Sequence, residues 1–262
     1  MNHPFRIMML GVGNGFIKST YHNNALIETQ GKRFLLDCGS MAWQSLHEIG
    51  LGFDDIEGIF ITHLHYDHCG GLDEAALYGA YAANRRMKLW IPAPLRGLLW
   101  EHCLRGTLEN IADSKLALDD FFDVLWVAEG ESFSFVPQAI NTAAPAAKAS
   151  PESLSAHWVQ TLHVPSKFSC SLVLDNRFFY SADMQPDKEL LMGLSSKGVE
   201  AFYHETCFGR NAVHSPFEEL CRYPEDIRRR MYLMHYGEAP SGLTETDLQG
   251  MKLLRQHEWL TW

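Results

Sequence analysis

Thr62-His63-Leu64-His65-Tyr66-Asp67-His68 sets four side chains able to bind a metal within six residues. It follows directly on Gly58-Ile59-Phe60-Ile61, whose β-branched and aromatic content predicts a buried strand running up to His63. Neutral imidazole and carboxylate suit zinc, manganese or iron, and a tight turn after a rigid strand fixes their directions. His63 and His65 alternate and can face one metal, while Asp67 and His68 turn toward a second. The chain has 13 histidines, and a chance match to this pattern has odds of roughly two in a thousand. Random surface histidines are therefore a poor account of it.

On the N-terminal side, Phe5–Leu10, Ala25–Thr29 and Arg33–Cys38 read as strands, with Gln30-Gly31 as a hairpin turn. Met41–Ile49 has a helical pattern that stops at Gly50. Beyond the motif, Leu72–Ala83 reads as a helix, Lys88–Ile91 as a strand and Leu95–Leu104 as a helix. Trp158–Leu162, Ser171–Leu174, Phe178–Ser181, Ala201–His204 and Met231–Met234 read as further strands. Thr244–His257 is predicted as a closing helix, capped by Thr244 with Asp247 three residues on. Strands in hairpins, then strands alternating with helices, predict an α/β fold of two mixed sheets packed face to face with helices outside. Residues 1–262 suit a single domain of that kind. Pro137–Ser155, rich in Ala, Pro and Ser without a hydrophobic period, reads as a surface loop, with a substrate-facing lid as the alternative.

Composition narrows the classes. No apolar run approaches the roughly 18 residues of a membrane helix. Ile7–Leu10 is too short for a signal-peptide core, which predicts a cytoplasmic protein. In that compartment Cys38, Cys69, Cys103, Cys170, Cys207 and Cys221, with no C-x-x-C spacing, read as packed thiols. The net charge of −10 opposes tight binding of a long nucleic acid.

The H-x-H-x-D-H run, continued by Gly70-Gly71-Leu72, resembles the signature of the metallo-β-lactamase superfamily, and the resemblance extends over almost the whole chain. Leu36-Asp37-Cys38-Gly39 resembles the strand end that precedes the motif there. The resemblance implies an αββα sandwich and three later ligands: His163, Asp183 as a bridging carboxylate, and His235. Alone, each has a plain alternative, a strand-end histidine or a helix cap. The implied sharing is His63, His65 and His163 on one metal, Asp67, His68 and His235 on the other, with Asp183 between. Two divalent ions, zinc or manganese, about 3.5–4 Å apart can share a hydroxide nucleophile and stabilise developing negative charge.

The superfamily also cleaves lactones and thioesters, so the fold does not select a substrate. Tyr203-His204-Glu205-Thr206 resembles the His-Glu segment of the ribonuclease Z-like phosphodiesterase branch, and His214-Ser215 resembles its His-Ser step. That resemblance implies that His204 contacts the phosphate and gives a proton to the leaving oxygen, with Glu205 orienting the ring and Asp67 completing the catalytic group. The Gly13–Asn24 loop is expected to open over the site, with His22 and Asn24 touching substrate. The basic arm of the transfer-RNA 3′-end endonucleases has no counterpart: Pro137–Ser155 carries a single lysine, Lys148. In length and layout the chain is similar to compact cyclic-nucleotide phosphodiesterases, the phage and bacterial anti-Pycsar enzymes included. The implied substrate is a small phosphodiester, above all a 3′,5′-cyclic nucleotide. A transfer-RNA endoribonuclease, a lactone or thioester hydrolase and a non-enzymatic metal-bound scaffold are the rivals. A homodimer is expected, with Trp43 and Trp100 as exposed apolar surface.

Overall fold

The computed structural model describes residues 4–110, 115–135, 153–209 and 211–262. Within these residues the strands are β1 (Arg6–Gly11), β2 (Asn24–Thr29), β3 (Lys32–Leu36), β4 (Gly58–Phe60), β5 (Met87–Pro92), β6 (Phe122–Val127), β7 (Phe133–Ser134), β8 (Ser155–Thr161), β9 (Ser169–Leu174), β10 (Phe178–Tyr180), β11 (Ala201–Glu205), β12 (Met231–Met234), β13 (Lys252–Leu253) and β14 (Trp259–Thr261). They form two mixed seven-stranded sheets, ordered β14-β1-β2-β3-β4-β5-β6 and β13-β12-β11-β10-β9-β8-β7.

Side-chain alternation sorts each sheet's residues into an inner and an outer layer. Phe34, Phe60, Trp90, Trp158, Tyr180 and Tyr203 fill the space between the sheets. Leu35, Ile59 and Leu89 point the other way, onto a helix layer that includes Leu46 and Leu72. Phe179, Phe202 and Leu233 meet the opposite layer through Leu191, Leu220 and Ile227. The result is the four-layer αββα sandwich.

Most elements stand where sequence pattern sets them. Gln30 (φ 52°) and Gly31 (φ 72°) make the two-residue turn between β2 and β3. Leu72–Ala83 is helical throughout, widening to a π-turn over Gly79–Ala83. The closing helix is corrected. Thr244 and Asp247 exchange the hydrogen bonds of a cap, but Gln249 (φ 51°) and Gly250 (φ 90°) end the turn at once. The chain then supplies β13, inside the expected helix, to β12 and, just beyond it, β14 to β1, so each becomes the outermost strand of its sheet. β6 and β7, which pattern does not reveal, extend the two sheets at their other edges.

Trp43 and Trp100 are half-buried against the helix layer rather than exposed. Trp43 stacks on His47 and Phe53. The six cysteines are free and at least partly buried. Among the described residues no helix is long and apolar enough to cross a membrane. Residues 137–152 of the expected loop or lid lie outside the described residues.

Candidate metal centre

In the second sheet, β8, β10, β11 and β12 run in one direction, and their C-terminal ends open toward the turn that follows β4. His163 lies two residues past β8, Asp183 three past β10 and His235 directly after β12. The four residues from the opening motif come from the other sheet, with Asp67 and His68 on a single helical turn, Tyr66–Cys69. Asp37 (φ 64°), Ala182 (φ 49°) and His235 (φ 56°) all adopt left-handed backbone at these strand ends. Such conformations persist where surrounding packing over-determines them, and they cluster at functional sites.

All seven expected ligands converge on two adjoining cages. In the first, His65 Nδ1 lies 3.1 Å from His63 Nε2 and 3.3 Å from His163 Nε2. Asp183 Oδ2 is 3.7 Å from the former nitrogen and 3.6 Å from the latter. In the second, His68 Nε2 and His235 Nε2 each stand 3.2 Å from Asp183 Oδ1. They are 3.6 and 3.5 Å from Asp67 Oδ2. Donors about 2.0–2.2 Å from a tetrahedral ion stand about 3.3–3.6 Å from one another, so both cages have the size of a divalent ion's shell. His68 Nε2, His235 Nε2 and Asp183 Oδ1 are buried with no hydrogen-bond partner. Orphaned polar atoms are costly and rare, and three aimed at one point call for a cation.

The electrostatics agree. Burial pushes the His63 imidazole well below its ordinary pKa and that of His163 down to about 4, which keeps both in the neutral, metal-binding form. Burial alone would raise the Asp183 carboxyl, but His235 and His68 outweigh it and hold that carboxyl ionised. His68 is the exception: burial lowers it, yet Asp183 and Asp37 raise it well above the usual value. Without an ion those carboxylates keep a proton on His68, and a divalent ion at Nε2 would take that proton's place. The residues fit a pair of divalent ions.

A second set of contacts aims the ligands. His68 Nδ1 is 2.7 Å from Asp37 Oδ2, and Asp37 Oδ1 accepts from the Thr62 amide (2.8 Å) and hydroxyl (2.9 Å). The Thr62 hydroxyl in turn lies 3.0 Å from His63 Nδ1, and His163 Nδ1 donates to the Val213 carbonyl at 2.7 Å. Such partners fix tautomer and ring direction. Asn24 is buried beside the ligand turn: its amide donates to the Asp67 carbonyl at 2.9 Å and its oxygen accepts from Gly39. Gly39 has no alternative, because a Cβ there would fall inside the Asp67 carbonyl. His22 is also buried, with Nδ1 3.5 Å from the Ser40 hydroxyl and its ring edge-on to Tyr66. Both are buried, and the His22 imidazole is near enough to Asp67, His68 and His235 to feel their charges. Gly15 instead lies over Asp67, where a Cβ would stand 2.9 Å from Oδ2.

His204 is not brought to the centre. In β11, Tyr203 faces the space between the sheets, while Phe202 packs outward. His204 shares the outward side, fully buried and edge-on to Tyr223, with Nδ1 2.7 Å from the Glu205 carbonyl. Glu205 faces the centre. Its side chain accepts from the Met184 amide (2.6 Å) and lies 3.0 Å from His214 Nδ1. The His214 ring stacks on His235 at 5.0 Å and sits 4.8 Å from His163. His163, Glu205 and His214 thus form a third cluster beside the two cages. Burial lowers the His214 pKa, but Glu205 overrides it and the net shift is upward. With Nδ1 committed to Glu205, Nε2 is the nitrogen left to meet a substrate.

The family model described as "Anti-Pycsar protein Apyc1" matches residues 5–260. A protein of that name from Paenibacillus harenae is 37% identical over 234 residues, covering 89% of this chain and 90% of its own. One from Bacillus phage BSP38 is 34% identical over 247 residues, covering 91% of each. Among solved structures, the metallo-β-lactamase fold protein YhfI from Bacillus subtilis superposes with a TM-score of 0.72 at 12% identity, over all of both chains. The short form of human tRNase Z gives 0.65 at 17% identity, over 97% and 98% of the two chains. These two likenesses establish the metallo-β-lactamase fold.

Proposed function

Because this chain belongs to the anti-Pycsar Apyc1 family and is built on the metallo-β-lactamase fold, we propose that it is a metal-dependent phosphodiesterase that opens 3′,5′-cyclic nucleotides, cyclic pyrimidine mononucleotides foremost. The observation that carries this reading is the His214–Glu205 pair set against seven convergent donors. A proton donor beside paired cation cages is what cleavage of a phosphate ester requires.

His63, His65, His163 and Asp183 would hold one ion, and Asp67, His68, Asp183 and His235 the other. Bound there, two divalent ions, zinc or manganese, supply water activation and charge neutralisation at the phosphate. Asp67, beneath Gly15, also orients the attacking water. As the P–O ester bond breaks, the leaving ribose oxygen takes a proton from His214 Nε2. Glu205 holds the ring in place and stabilises its cationic form before transfer. His204 has no part in this step; it fills the outer layer behind β11. A single phosphate needs no basic arm, in keeping with the net charge of −10.

The test is a panel assayed with purified protein and added zinc or manganese. It holds 3′,5′-cyclic nucleotides of four bases, a precursor tRNA and a lactone, with Asp183→Ala as control. Turnover of cyclic nucleotides that vanishes in the control supports the reading; cleavage of the tRNA or the lactone alone replaces it. Assembly as a homodimer belongs to the same proposal and is read by light scattering.

A further inference from the structure

Next to the first cage lies a cavity of about 370 Å³ whose floor includes His63, His65 and His163. Its walls differ in character from that floor. Leu98, 42% exposed, and Phe168, half-buried and edge-on to Trp158, give it apolar sides. His102, Ser166, Lys167 and Ser169 supply the polar ones, and no carboxylate side chain contributes to the lining. In a chain of net charge −10 this places a cation beside the cages.

Lys167 is also fixed in relation to the cage. His163 is followed by a tight turn, Val164-Pro165-Ser166-Lys167, closed by the Lys167 amide donating to the Val164 carbonyl at 3.1 Å. Pro165 presets the first corner and Ser166 takes φ 69° at the second, a position that usually needs glycine. The turn thereby ties Lys167 to His163, four residues before it.

Apolar walls, few polar groups and a floor of reacting-centre residues are the marks of a small-ligand site, and the volume lies near the lower end of the usual roughly 300–1,000 Å³. It is large enough for one nucleoside and far too small for a folded nucleic acid. Resting on the functional reading above, we infer that this cavity seats the nucleoside half of a cyclic mononucleotide. The base lies between Leu98 and Phe168, and Lys167 pairs with a phosphate oxygen that the cages leave free.

The experiment compares wild type, Lys167→Ala and Leu98→Trp on a cyclic nucleotide and on methyl 4-nitrophenyl phosphate, a diester with no nucleoside. Both substituted residues are exposed, so the fold should tolerate each change; melting curves verify it. Leu98→Trp, which fills the cavity, should raise KM for the cyclic nucleotide about tenfold, and more for purines than pyrimidines, while the small diester changes less than about twofold. Lys167→Ala should raise KM for both substrates about tenfold through the lost charge-assisted contact. Equal loss on both substrates in Leu98→Trp, or no change in either variant, overturns the assignment. A wild-type protein that cleaves the small diester but no cyclic nucleotide sinks the functional reading instead. The cavity is then judged by calorimetry with a nucleoside monophosphate, whose binding Leu98→Trp must weaken if the assignment holds and leave unchanged if it does not.

Discussion

Glu205 and His214 meet at 3.0 Å across the mouth of the centre although β11 ends between them and nine positions separate them. Glu205 is the last residue of β11 and is completely buried; His214 arrives on the loop after it, with about a fifth of its side chain exposed. In the proposed reaction, a buried carboxylate gripping a partly open imidazole would make an acid that meets substrate from one side only.

Replacing His214 by Ala is expected to lower kcat by about 10²–10⁴, the usual contribution of a positioned acid, while both ions stay bound. His204→Leu, by contrast, should leave kcat within about threefold and change chiefly the melting temperature, since that ring packs in the outer layer. Steady-state kinetics beside metal analysis decide the matter. A His204 variant as slow as the His214 variant would reverse the assignment.

Asp183 contributes one oxygen to each cage. Asp183→Ala should therefore abolish hydrolysis and cut bound metal from two ions to at most one per chain, read by inductively coupled plasma mass spectrometry. Stripping the native chain with EDTA should lower its melting temperature, because ions that bind only the folded state stabilise it. Retention of both ions by the variant would refute the bridging role.

Asp37 belongs to neither cage and bears on the second through its 2.7 Å contact with His68 Nδ1. Asp37→Asn is expected to weaken metal affinity about 10–100-fold, measured by competition with a chromogenic chelator. Unchanged affinity with a lowered melting temperature would make Asp37 a folding residue alone.

Gly39 and Gly31 make a paired test of the backbone. Gly31 lies in open space at φ 72°, so Gly31→Ala meets only the left-handed penalty of about 1–2 kcal/mol. In a chain of this size that is a fall in melting temperature of about 2–8 °C. Gly39→Ala drives a methyl into the Asp67 carbonyl, and it should cost much more and disturb metal binding as well. Equal melting temperatures for the two would show that the ligand turn can yield.

The layers and the opening motif were readable from local pattern, whereas His163, Asp183 and His235 came only from the resemblance to the metallo-β-lactamase superfamily. The opening motif sits on a β-branched strand, and His163, Asp183 and His235 come at or just beyond strand ends. His214 was harder to assign. Ala201–Glu205 is buried on both faces, so apolar periodicity does not tell which of His204 and Glu205 looks inward. Once Tyr203 is placed between the sheets, the two-residue period sends Glu205 to the centre and His204 away. The closing segment failed for another reason: Thr244 and Asp247 carry a true cap, but pairing with β12 and β1 is non-local and leaves no trace in a short window.

The donors divide between the two sheets. His63, His65, Asp67 and His68 hang from the first, and His163, Asp183 and His235 from the second. Neither half owns a complete donor set, so ions held in these cages would act as rivets through a seam. Phe34, Trp158 and Tyr180 pack between the sheets that carry the two halves, so loosening of that aromatic layer is expected to pull the donor sets apart. Metal occupancy would then be a strain gauge for the middle of the molecule, and mild heating or a distant core substitution should register first as ions released from a chain that still shows its full complement of strands.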